Sequence, residues 1–169
     1  MLTKKQIGEI REHLERAQNP LFFFDNDNDG LASFLLLRRF IERGKGVAIK
    51  SFPDLNLSYY RKVQEFKPDY IFILDKPVVS EEFLERAKKE NIPVVWIDHH
   101  DVQKEIPSFV NYYNPKKEIN YPTAYICYQV TKRKEDSWIA VIGCISDYFI
   151  PDYYKEFAEK YPDLSAEKY

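Results

Sequence analysis

Sulfur, charge excess and long apolar runs are all scarce in this 169-residue chain, and each absence excludes something. Its two cysteines, Cys127 and Cys144, stand apart in apolar helical patterns with no CxxC spacing. They are expected to be reduced, buried thiols, with no disulfide framework or sulfur-ligated metal. The formal net charge is −2, so no global field draws the chain to nucleic acid or an anionic membrane, and any polyanion site has to be local. No stretch approaches the ~20 apolar residues of a membrane span. Residues 1–5 lead into an amphipathic stretch, not the apolar core of a signal peptide. There is no internal repeat and no low-complexity segment. The expectation is a cytoplasmic chain with no membrane association.

What is present is a globular composition, with 44% hydrophobic and 16% aromatic residues. Its length suits one self-supporting core. Leu2, Ile7, Ile10 and Leu14 recur at helical spacing after Thr3, a good N-cap. Apolar runs at Leu21–Phe24, Val47–Phe52, Asp69–Leu74, Pro93–Ile97 and Phe109–Tyr113 predict strands. Helical patterns fall at Leu31–Ile41 (closed by Gly44 and Gly46), Ser58–Phe66, Ser80–Lys89, Pro122–Val130 and Ser137–Tyr148. Strands alternating with helices predict an α/β, Rossmann-like three-layer fold: a mainly parallel five-stranded sheet with helices on both faces. The polar, aromatic-studded segment from Asp152 to Tyr169 is expected to be helical, with no evident core to join.

Acids and imidazoles cluster after the predicted strands, where open α/β sheets bind ligands. Asp25, Asp27 and Asp29 follow the first, Asp75 the third, and Asp98-His99-His100 the fourth. Asp147 follows the apolar helix that begins near Trp138. Carboxylates converging on one crevice repel strongly, and lysine and arginine are not interleaved with them. Divalent cations resolve the repulsion. Carboxylate oxygens with one or two imidazoles suit Mn²⁺ or Mg²⁺, and a pair of ions about 4 Å apart serves in-line displacement at phosphorus. Asp25–Gly30 also matches the first half of an EF-hand loop. That motif needs a Glu at its twelfth position, here Leu36, and a helix before it, here a Phe-rich strand. His13, on the amphipathic first helix, reads as structural.

These motifs, in order, resemble those of the DHH phosphoesterase (DHH/RecJ) family: Asp25–Gly30 followed by Ser33, then Asp75, then Asp98-His99-His100, then Gly143-Cys144-Ile145-Ser146-Asp147. The resemblance spans roughly Leu21 to Phe149. It implies a manganese-dependent phosphoesterase with a two-ion site, Mg²⁺ being the alternative metal. Asp75 would bridge, Asp27 would join it on one ion, and Asp29, His99 and Asp147 would complete the other; Asp25 is a further candidate ligand. His100 would sit by the phosphoryl group and Asp98 would orient a histidine. Asn114, Lys116, Lys76 and Ser33 are candidate substrate contacts, with Lys117 beside them. The implied activity is RecJ-like cleavage of single-stranded DNA or RNA, as an exonuclease or oligonucleotide-clearing enzyme. Alternatives are cyclic-dinucleotide phosphodiesterase, inorganic pyrophosphatase, or an inactive interaction module in DNA replication or repair. Phe23 stands where the related pyrophosphatases carry a histidine, which disfavours pyrophosphate. Residues 1–150 would form the DHH domain. Residues 151–169 would be a linker helix toward a C-terminal DHHA1-like domain, or toward a partner protein that supplies that surface.

Overall fold

The structure, a computed structural model, describes residues 1–50, 55–101, 105–115 and 119–165. In chain order the elements are α1 (Lys4–Arg16), β1 (Pro20–Asp25), α2 (Asn28–Ile41), β2 (Lys45–Ile49), α3 (Tyr60–Phe66), β3 (Tyr70–Leu74), α4 (Glu81–Lys89), β4 (Val94–Ile97), β5 (Val110–Tyr113), α5 (Thr123–Thr131), α6 (Ser137–Ser146) and α7 (Tyr154–Lys160). The strands form one parallel sheet in the order β2-β1-β3-β4-β5. The α/β arrangement expected from the sequence is the observed one.

Alternation along each strand explains the three layers, because successive side chains point to opposite faces. Phe22, Phe24, Phe72, Leu74, Val95 and Ile97 pack under α1, α2, α5 and α6. Leu21, Phe23, Ile71, Ile73, Val94 and Trp96 pack against α3 and α4 on the other side. Phe22 stacks on Phe72 with ring centroids 4.9 Å apart. Each such buried ring contributes about 1.5–3 kcal/mol relative to exposure. Several helix starts follow local rules: Thr3 and Gln6 form a capping box on α1, Asp27 caps α2, and Ser80 caps α4 ahead of Glu81 and Glu82.

Four local expectations are corrected. Helix α2 closes on Glu42, in the left-handed region at φ 56°, before Gly44 turns the chain at φ 96°. Gly46 lies inside β2, paired with Phe22, so β2 begins at Lys45 rather than Val47. The expected end of that strand, Phe52, lies outside the described residues. Helix α6 stops at Ser146, with Asp147 as its C-cap and Tyr148 left-handed at φ 55°. Finally, the C-terminal segment does find a core: Phe157 is buried, and Tyr153 stacks with Tyr125 and contacts Tyr128 of α5. An apolar groove of about 620 Å³ runs between α6 and this segment, lined by Trp138, Ile142, Phe157, Tyr161 and Leu164 among others.

With this strand order the topology reverses between β1 and β3, so a crevice opens at their carboxyl ends. Helix α6 reaches that crevice by lying close on α2 and α5. A Cβ on Gly143 would stand 2.6 Å from Ala124 Cβ and 2.8 Å from Ala32 Cβ. Gly143→Ala is therefore expected to destabilise the chain by about 1–3 kcal/mol in urea unfolding, and Ala124→Gly in the same chain is expected to recover part of that loss.

Candidate metal centre

The acids reach one place because each sits where an element begins or ends. Asp25 is the last residue of β1, Asp27 the N-cap of α2, and Asp29 lies in that helix's first turn. Between them the loop folds back so tightly that a Cβ on Gly30 would lie 2.4 Å from the Asp25 carbonyl oxygen, which only glycine tolerates. Asp75 follows β3 in the left-handed region, φ 57°, a conformation that costs a non-glycine residue roughly 1–2 kcal/mol. Asp98, His99 and His100 follow β4, and Asp147 caps the end of α6.

His99 is the centre of the constellation. Its Nε2 lies 3.3 Å from Asp75 Oδ1, 3.3 Å from Asp147 Oδ2 and 3.9 Å from Asp29 Oδ2. Nδ1 faces Asn120 Oδ1 at 3.1 Å, so the ring is held with Nε2 toward the carboxylates. Nε2 is buried and makes no hydrogen bond of normal geometry despite those neighbours. Asp29, fully buried, accepts from the Thr123 and Ala124 amides at 2.8 and 2.7 Å and so sits on the N-terminus of α5. Thr123 Oγ1 donates to Asp75 Oδ1 at 3.0 Å. His100, 40% exposed, is held from behind: Asp98 Oδ1 is 2.9 Å from its Nδ1, and Asp98 Oδ2 accepts its backbone N–H at 3.1 Å. Donor atoms of Asp75, His99 and His100 lie within 4.8 Å of one another, and so do those of Asp29, His99 and Asp147.

Electrostatics follow from this crowding. Burial, then the Asp75 charge, pushes Asp29 well above the ordinary carboxylate range, against the pull of its two amide donors. Burial also raises Asp27 and Asp147, helped by neighbouring carboxylates. Asp75 moves the other way: burial pushes it up, but the imidazoles of His99 and His100 and the Thr123 hydroxyl outweigh it. His99 rises because Asp75 outweighs burial, and His100 rises chiefly through Asp98.

Not every expected residue points into the crevice. Lys76, expected to meet substrate, is buried with its Nζ 3.2 Å from Asp25 Oδ1 and 2.9 Å from the Lys50 carbonyl. A cation therefore is interleaved with the acids, contrary to the sequence reading, and Asp25 turns toward it. Ser33 is fully buried beside the Cys127 thiol and has no surface to offer a substrate. Asn114 spends its amide on the His100 carbonyl and the Tyr112 hydroxyl, both at 2.8 Å. Lys116 and Lys117 lie outside the described residues. Sequence reasoning missed Asn120 and Thr123. Thr123, just after Pro122 at a predicted helix start, carried a signal, since helix N-termini attract anions; Asn120 carried none.

The donor set fits a hard, oxygen-seeking divalent ion with one borderline nitrogen ligand, and the orphaned Nε2 is the atom such an ion would satisfy. Residues 21–149 match the DHH family, N-terminal domain. Among solved structures, RecJ from Thermus thermophilus in complex with Mn²⁺ superimposes with a TM-score of 0.68 at 16% identity, covering 86% of this chain and 24% of that one. An exopolyphosphatase-related protein from Bacteroides fragilis gives 0.60 at 18% identity, covering 99% and 60%. CDC45 from Entamoeba histolytica gives 0.67 at 15% identity, covering 93% and 36%. The chain thus spans a quarter to three-fifths of these structures' length. No curated protein matches it. No helix among the described residues is long and apolar enough to cross a membrane.

A divalent ion competes with protons for these groups. Asp27, Asp29, Asp147, His99 and His100 all have raised pKa values, so in the metal-free chain they favour folding at low pH, and that contribution is lost as pH rises through their folded values. Asp75, lowered, contributes the opposite way, above its unfolded value. The Tm increase caused by Mn²⁺ is therefore expected to be larger at about pH 8 than at about pH 6, as scanning calorimetry with and without EDTA would measure.

Proposed function

Because the chain belongs to the DHH family, we propose that it is a metal-dependent phosphoesterase that hydrolyses phosphodiester bonds in short single-stranded DNA or RNA. Two divalent ions, Mn²⁺ foremost, would be held by Asp27, Asp29, Asp75, His99 and Asp147. Such ions supply charge compensation, polarisation of the phosphoryl group and activation of the attacking water. The observation that carries the reading is the buried, unbonded His99 Nε2 lying 3.3 Å from each of two carboxylates. Manganese in the RecJ structure supports the choice of ion.

The chain's own groups then divide the work. Asn120 fixes the His99 ring, and the α5 amides fix Asp29, so the ligand atoms hold still without rearrangement. Asp98 anchors His100 through both its ring and its backbone, leaving the outer edge of the half-exposed ring toward solvent. Asp98 raises the His100 pKa above the ordinary histidine value, which favours the protonated ring. That proton is available to a phosphoryl oxygen or to the leaving oxygen, and it is lost as pH rises through the histidine's folded pKa. Burial of Asp29, Asp75 and Asp98 keeps bulk water from screening these interactions.

A panel of single-stranded DNA, single-stranded RNA, cyclic dinucleotides and pyrophosphate, assayed with Mn²⁺ as the sole metal, tests the proposal. Release of nucleotides from the oligonucleotides is expected. His100→Gln is expected to lower kcat about 10²–10⁴-fold while Mn²⁺ binding persists. Asp75→Asn is expected to lose both binding and turnover. Turnover of no phosphoester, with Mn²⁺ bound, would instead favour an interaction module, and turnover of pyrophosphate alone would replace the nucleic-acid assignment.

A further inference from the structure

Burying a lysine is costly, and an unpaired one sheds its proton. Lys76 is nevertheless 1% exposed at the edge of the acidic crevice, and the side chain it meets, Asp25, is 10% exposed. The ammonium bonds Asp25 Oδ1 at 3.2 Å and the Lys50 carbonyl, just past the end of β2, at 2.9 Å. The left-handed turn at Asp75 explains how neighbours in sequence serve two places. Asp75 sends its carboxylate to Thr123 and His99, while Lys76 sends its ammonium to Asp25. The peptide between them is pinned at both ends: Asp75 N–H donates to the Ile97 carbonyl at 3.0 Å, and the indole of buried Trp96 donates to the Lys76 carbonyl at 2.9 Å.

Asp25 in turn shapes the loop that carries Asp27 and Asp29. Its Oδ1 also accepts the Asn26 N–H at 2.9 Å, and Gly30 packs against its carbonyl. Resting on the metal-centre reading above, we propose that Lys76 is a built-in counter-cation for this site. It takes Asp25 out of the ligand set and holds the acidic loop in its binding shape before any ion arrives. Lys76 acts through Asp25 and is a positioning residue; a fixed positive charge here lowers the self-repulsion that the empty acidic cluster would otherwise carry.

The test compares the full chain with its Asp25→Asn, Lys76→Met and Asp25→Asn/Lys76→Met variants. Thermal unfolding is followed in EDTA, and Mn²⁺ stoichiometry and affinity are read by titration calorimetry. Asp25→Asn is expected to bind as many Mn²⁺ ions as the parent, with affinity lowered no more than about tenfold, the mild end of the range for a group outside the ligand set. Lys76→Met is expected to lower the metal-free Tm and to weaken Mn²⁺ binding by about 10- to 100-fold with its stoichiometry intact. In the double variant, which removes both charges of this pair together and so should fold even if Lys76→Met does not, the Tm loss should be smaller than the sum of the single losses. Loss of an ion from Asp25→Asn would overturn the proposal, and so would purely additive Tm losses. Failure of the metal-centre reading looks different: the unsubstituted chain would then bind no Mn²⁺ at all.

Discussion

Mutual repulsion among buried carboxylates is the constraint on which this architecture turns. Asp25, Asp29, Asp75 and Asp98 are all buried, and burial of a bare carboxylate opposes folding. Each has a specific answer in the structure. Asp98 holds His100, Asp29 rests on two helix amides, Asp75 takes the Thr123 hydroxyl beside two imidazoles, and Asp25 takes an ammonium. What stays unanswered is concentrated around one nitrogen, Nε2 of His99. Within the crevice the described acids are answered locally, and the unbonded nitrogen marks where a divalent ion would stand.

This arrangement assigns different work to the two sides of the sheet. The face under α1, α2, α5 and α6 supplies the helix ends that bring Asp29, Thr123 and Asp147 to the crevice. The face under α3 and α4 is mainly packing, though Trp96 on that side reaches through its indole N–H to pin the turn after Asp75. Close approach of α2, α5 and α6 at Gly143 carries the end of α6 to the crevice, where Asp147 lies 3.3 Å from His99.

Much of this was legible in the sequence. Strands buried on both faces read as continuous apolar runs, and acids at their ends read as a crevice. The failures share a cause, in that neighbours along the chain need not be neighbours in environment. Lys76 follows Asp75 directly, yet the left-handed turn separates their side chains, and no periodicity announces such a turn. Ser33 lies one helical turn past Asp29 but meets the Cys127 thiol in the interior. The C-terminal segment read as coreless because the surface it covers is made by tyrosines of α5, more than twenty residues earlier.

The all-parallel strand order also bears on how the chain acquires its shape. Parallel neighbours cannot be joined by a tight hairpin, so every pairing waits for a crossover. The central one, Leu21 with Ile71, closes a loop of about fifty residues. Such long-range pairing makes folding slow relative to a helical bundle of similar size. His99 meets Asp29, Asp75 and Asp147 only after β1, β3, β4 and α6 have all docked, so a signal from an ion bound there would report the last stage of refolding, not the first.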